Sequence, residues 1–95
     1  MPLRTASRVD ANQPAIVKAM RAIGASVLHL HQIKNAFDLL VGYRGRTFII
    51  EVKDPAQPPS KRQLTEGEAR FRDQWKGTPY HVVLTADEAI AIITA

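Results

Sequence analysis

The sequence has no cysteine, few aromatic residues and no long apolar run, and each absence narrows what the chain can be. Without cysteine among its 95 residues, it has no disulfide framework, no thiolate zinc site and no cysteine nucleophile. No stretch approaches the roughly 18 apolar residues that a membrane span requires. The opening MPLRTASRVD carries two arginines with no apolar segment behind them, unlike a secretory signal, so the expected compartment is cytoplasmic. What is present is ordinary globular material, 45% hydrophobic and 23% charged, which argues against wholesale disorder. The length suits one domain over residues 1–95 with one modest core. Thirteen basic residues against nine acidic ones give a net charge of +4, which favours a polyanionic partner.

Local signals order the chain. Residues 1–8 read as a loose arm. Asp10 or Asn12 can cap a helix with Pro14 in its first turn, and Ile16, Val17, Met20 and Ile23 follow at helical spacing until Gly24 ends it. SVLHLHQ reads as a strand with His29 and His31 on one face. FDLLVGY and RTFIIEVK meet at Arg44-Gly45, a hairpin signature. DPAQPPSKRQ, with three prolines, reads as loop. A second helix starts at the Thr65/Glu68 capping box and stops at Gly77; YHVVLT is a buried strand; Thr85 and Glu88 cap a last helix. The predicted order is α-β-β-β-α-β-α, an α/β fold with a central mixed sheet flanked by helices.

The segment from Asp38 to Lys53 carries the chemistry. On an extended strand Ile49, Glu51 and Lys53 share one face and Phe48, Ile50 and Val52 the other. If the turn centres on Arg44-Gly45, Asp38 stands opposite residue 51 to within one register step, and two carboxylates meet beside an ammonium. Hard oxygen donors of this kind suit Mg2+ or Mn2+, with the backbone carbonyl of Val52 as a further ligand and room left for water and a phosphate. A metal there polarises a phosphoryl oxygen and acidifies bound water. Lys53 would orient or deprotonate that water, or stabilise developing negative charge. The same residues could instead form a strand-end ion pair worth under about 1 kcal/mol.

Asp38, then LLVGYRGRTFII, then Glu51-Val52-Lys53 resembles the Asp, spacer, Glu-x-Lys signature of the PD-(D/E)XK nucleases. More narrowly, the chain is similar to the small stand-alone VRR-NUC domains of phage and bacterial genomes, which are related in fold to archaeal Holliday-junction resolvases. The likeness runs from NQPAIVKAMRAIGA through FDLLVG and FIIEVKD to the proline-rich loop and LT-x-x-E. It implies a restriction-endonuclease-like core and Mg2+- or Mn2+-dependent hydrolysis of DNA phosphodiesters. It also implies homodimers acting on branched DNA such as Holliday junctions, in a bacterial or phage-infected cell.

Three positions depart from that pattern. Asn35-Ala36-Phe37 replaces the glycine and proline that usually precede the aspartate. Where the family often has a glutamate on its first helix, this chain offers Gln13, which can hold a metal-bound water, with Asp10 or Asn12 nearby. Where many members carry a glutamine in the second helix, the chain has Glu68, which is also the third residue of a capping box and is read mainly as structural. The site is therefore expected to consist of Asp38 and Glu51 as metal ligands with the Val52 carbonyl, Lys53 as the catalytic ammonium, and Gln13 behind them. Eight of the thirteen basic residues lie between positions 44 and 76. Of these, Arg44, Arg46, Lys61 and Arg62 are expected to meet DNA phosphates, whereas Arg70 and Arg72 find helical ion-pair partners. Phe71 and Trp75, four residues apart, read as core or subunit interface, with base stacking by Trp75 a lesser alternative. A flap or fork nuclease with the same site, and a non-catalytic DNA-binding module, are the rival functions.

Overall fold

The apolar spacing of Ile16, Val17 and Met20 builds helix α1 over Gln13–Ala22, with Pro14 in its first turn, where a missing amide costs nothing. The structure, a computed structural model, describes residues 9–30 and 33–95. The arm expected over residues 1–8, and His31 of the histidine pair, lie outside the described residues. Gly24 ends α1 in the left-handed region, at φ +100°, as a residue just past a helix should. There follow β1 (Ser26–His29), β2 (Leu39–Tyr43), β3 (Arg46–Val52), α2 (Glu66–Gln74), β4 (Tyr80–Val83) and α3 (Ala86–Thr94). This is the order predicted from the sequence. Within the expected loop, Pro59–Lys61 forms a short 3-10 turn, since prolines preset the φ that such a turn needs.

The four strands lie in the order β1-β2-β3-β4. The first three are antiparallel neighbours and β4 runs parallel to β3, so the sheet is mixed. β3 is an inner strand, buried on both faces from Phe48 onward, which explains its unbroken apolar sequence. Phe48, Ile50 and Val52 join Val27, Leu39 and Val41 beneath α1 and α3 in the main core. Ile49 points the other way, into a smaller cluster with Ala36 and Phe37, against which Phe71 of α2 and Tyr80 pack. No residue of α2 is fully buried. At about 1.5–3 kcal/mol per buried aliphatic side chain, the α1/α3 face holds the fold together. The thinner α2 face leaves room for polar groups against the sheet.

Capping contacts set where the helices sit. Thr65 and Glu68 close the expected capping box at the start of α2. At α3 the second box is shifted: Glu88 N–H donates to Thr85 Oγ1 at 3.1 Å, but the Glu88 carboxylate accepts from Leu84 N–H at 2.6 Å. Asn12 occupies the N-cap position of α1 without capping it. Its Nδ2 instead donates to the carbonyls of Lys53 (3.0 Å) and Leu84 (2.9 Å), tying the start of α1 to the ends of β3 and β4. α2 ends earlier than expected, at Gln74. Trp75 leaves it in extended conformation, and its Nε1 donates to the Thr78 carbonyl at 2.8 Å. Gly77 is required by that fold-back rather than as a helix stop, because a Cβ there would stand 2.9 Å from Trp75 Cζ2.

Candidate active site

Arg44 and Gly45 both take positive φ, 50° and 79°, as a tight two-residue hairpin turn demands. The ladder from that turn pairs Tyr43 with Arg46 and Leu39 with Ile50. The next pair in the same register is Asp38 with Glu51, the opposition expected from the sequence. Asp38 is held there twice: its N–H donates to the Ile50 carbonyl at 3.2 Å, and its Oδ2 accepts from Val52 N–H at 2.7 Å. Alternation along β3 turns Glu51 and Lys53 to the α2 face, with Ile49.

Lys53 links the two sides of this site. Its Nζ lies 3.5 Å from Glu51 Oε2 and donates to Glu68 Oε1 at 2.9 Å. The same Glu68 oxygen accepts from Thr65 N–H at 2.9 Å. Glu68, read from the sequence as mainly a capping residue, thus has a second function: it docks the first turn of α2 onto Lys53. The one signal for this was its alignment with the family's helix glutamine. The helix arginines pair locally, Arg70 with Glu66 and Arg72 with Asp73.

Three carboxylates crowd one ammonium in a mostly buried setting, where Glu51 is 4% and Lys53 9% exposed. Burial, then the charges of Asp38 and Glu68 and a hydrogen bond with Glu68, push the Glu51 carboxyl from 4.5 up to about 9 against the pull of Lys53. Asp38 is raised as well, by burial first, although the Val52 N–H favours its charged form. Burial works against the Lys53 charge, but the hydrogen bond to Glu68 and the nearby carboxylates outweigh it and raise the ammonium pKa. Glu68 moves down: burial would raise it, but hydrogen bonds from Lys53 and Thr65 prevail. The Lys53–Glu68 interaction thus favours the charged forms of both groups, while burial and the neighbouring carboxylates favour the protonated form of Glu51.

That surplus of buried carboxylate is what a divalent ion would neutralise. Among the described residues no three His, Asp or Glu side chains converge into a ready-made cage. Glu68 is committed to Lys53, which leaves Asp38 and Glu51 as the donor pair. Two hard oxygens with the rest of the shell left to water suit Mg2+ or Mn2+ better than Ca2+ or zinc.

The remaining expected residues are more dispersed. Gln13 is fully buried on the main-core side, where its Nε2 lies 3.3 Å from His29 Nδ1. The acidic group before α1 that does share the field of Lys53 and Glu68 is Asp10, whose carboxyl is raised mainly by burial. Arg44 sits in the hairpin turn and Arg46 directly after it, the latter about 17 Å along the strand from Glu51 at roughly 3.3 Å per residue. Arg46 is engaged structurally, donating to the Ile93 carbonyl at 2.8 Å and lying 5.0 Å from the Phe48 ring centroid. Arg44 lies over Tyr43. Lys61, on the 3-10 turn after β3, is exposed, and Arg62 is half-buried.

No sequence-family model matches the chain, and no curated protein does. A solved structure described as a VRR_NUC domain does: it is 25% identical, with a TM-score of 0.61 over 86% of this chain and 89% of that one.

Proposed function

We propose that this chain, whose fold is that of a VRR-NUC domain, is a Mg2+- or Mn2+-dependent endodeoxyribonuclease acting on branched DNA as a homodimer. The observation that carries this reading is the opposition of Asp38 and Glu51 across one end of a buried hairpin, with the Lys53 ammonium 3.5 Å from Glu51. Asp38, Glu51 and the Val52 carbonyl would hold the cation. When bound, that ion polarises a phosphoryl oxygen and supplies an acidified water as nucleophile. The Val52 N–H fixes the Asp38 carboxylate, so its position is set before substrate arrives. Lys53, kept cationic by Glu68 and Glu51, is suited to orient water and to stabilise charge developing on the phosphate. It is poorly suited to take a proton. Lys61 and Arg62 lie on the segment that leaves β3 just beyond the acids and suit phosphate contact.

Two cuts in a branched substrate need two sites, which a symmetric pair of chains supplies. β1 is an edge of the sheet, and its Leu28 (60% exposed) and the following Ile33 (55%) leave apolar surface open beside it. The test is cleavage of labelled four-way junction, flap and linear duplex with Mg2+, Mn2+ or EDTA, run beside sedimentation of the protein. Metal-dependent cuts that disappear in Asp38→Ala and Lys53→Ala are expected. DNA binding with no cleavage under either metal would reduce the chain to a binding module.

A further inference from the structure

Glu68, Phe71 and Trp75 stand three and four residues apart, so they follow one side of α2. Glu68 reaches Lys53 and Phe71 packs on the sheet. Trp75 is the outer end of this row, about 10 Å from Glu68 at 1.5 Å per residue. Aromatic rings fill the interval. Tyr80 lies 6.2 Å from Phe71, Phe71 stacks on Trp75 at 5.5 Å and 19°, and Phe37 meets the Trp75 ring edge-on at 6.3 Å. The inner end of the row borders the acids: the Tyr80 hydroxyl is raised by burial and by the charges of Glu51, Glu68 and Asp38.

The outer end is open but fixed. Trp75 is 41% exposed, yet its Nε1 is spent on the Thr78 carbonyl, and Gly77 lets the chain close against the ring. With its one donor satisfied and one face stacked on Phe71, the indole has only its other face left to offer a partner. Of the cations nearest it in sequence, Arg70 is paired with Glu66 and Arg72 with Asp73, which leaves Lys76 as the positive excess. That excess favours a polyanion.

We infer that Trp75 is a stacking platform for an unpaired DNA base beside the cleavage site, which selects substrates with single-stranded nucleotides over fully paired duplex. The inference rests on the nuclease reading and gives that site its substrate class. A base is the partner that joins a flat π face to a phosphate charge.

Trp75 is the chain's one tryptophan, so its emission reports the event directly. Full-length protein in EDTA is titrated with unlabelled forked DNA and blunt duplex of the same sequence, and labelled copies are followed by anisotropy. Quenching by the fork, and little by the duplex, is expected. Trp75→Leu, which keeps apolar bulk without a π face, should weaken fork binding about tenfold and duplex binding less than about twofold, and Trp75→Tyr should restore most of the loss. Saturating fork binding with unchanged emission overturns the platform and leaves the nuclease reading standing. Emission that follows protein concentration and ignores DNA overturns it in favour of a subunit contact. Failure to bind any DNA overturns both.

Discussion

Asn35 stands so close to Gly67 that a methyl group on that glycine would lie 2.7 Å from the Asn35 side-chain oxygen. The contact joins the turn leading into Asp38 to the first turn of α2, which carries Glu68. Asn35 reaches it from the left-handed region, at φ 64°, which asparagine tolerates better than most residues. In an exposed helix, glycine to alanine ordinarily gains up to about 1 kcal/mol. Here Gly67→Ala should instead lose about 1 kcal/mol in denaturant unfolding, because the Asn35 side chain must give up its packed position. Asn35→Gly, free of strain at that φ, should remove the clash. Gly67→Ala made in that background should then be stabilising. A sign that stays the same in both backgrounds would show that the two residues do not interact.

The registration of the hairpin was readable from the sequence because a two-residue turn at Arg44-Gly45 leaves one way to pair the flanking strands. Asp38 opposite Glu51 followed by counting. The placement of Gln13 was not readable. Helical spacing sets the face a residue shares, but Gln13 turns toward His29 because β1 closes over it, a tertiary fact with no local signal. Glu68 was legible as a cap, since that pattern is local. Its second partner, Lys53, is fifteen residues away in sequence and depends on how α2 docks. The exposed basic residues are legible in the sequence as charge but not as location: the bond of Arg46 to the Ile93 carbonyl at the end of α3 spans 47 residues and has no local signal.

Without metal, pH should move stability through Glu51. Its folded value of about 9 lies above the ordinary 4.5, so across that window the folded chain holds a proton that the unfolded chain has released. Stability from this group is full at the acid end, declines as pH rises and is lost above about 9. Glu51→Gln should flatten that decline and raise the melting temperature near pH 8 by about 5 °C. Mn2+ should raise the wild-type melting temperature more near pH 8 than near pH 6, since binding must displace the proton. An increment independent of pH would remove Glu51 from the ligand set.

Glu68 should separate by chemistry rather than by charge. Glutamine retains an oxygen that can accept from both Lys53 and Thr65, so Glu68→Gln should cleave within about threefold of the parent. Alanine leaves Lys53 loose, and Glu68→Ala should be slower by a factor on the order of ten to a hundred. It should also lose about 1 kcal/mol of stability as the capping box opens. Equal rates for the two variants would show that the bond to Lys53 has no part in the reaction.

The two groups of cations should differ in salt response. Arg46→Ala loses the bond to the Ile93 carbonyl and the cover on Phe48, so it should cost about 1–2 kcal/mol of stability. The salt dependence of DNA binding should not change. Lys61→Ala should leave stability alone and reduce the slope of log K against log salt by about one. A reduced slope in Arg46→Ala would return that arginine to the DNA surface.

The symmetric turn at Arg44-Gly45 also bears on how such a site tolerates change in length. Residues added in equal number to both arms, next to the turn, push it outward and leave Asp38 facing Glu51. A single residue added to one arm misaligns the pair and turns one acid to the opposite face of the sheet. The number of residues between the two acids can therefore drift through evolution in steps of two. A search for relatives of this chain is better keyed to the midpoint between the acids, where the turn must fall, than to a fixed gap.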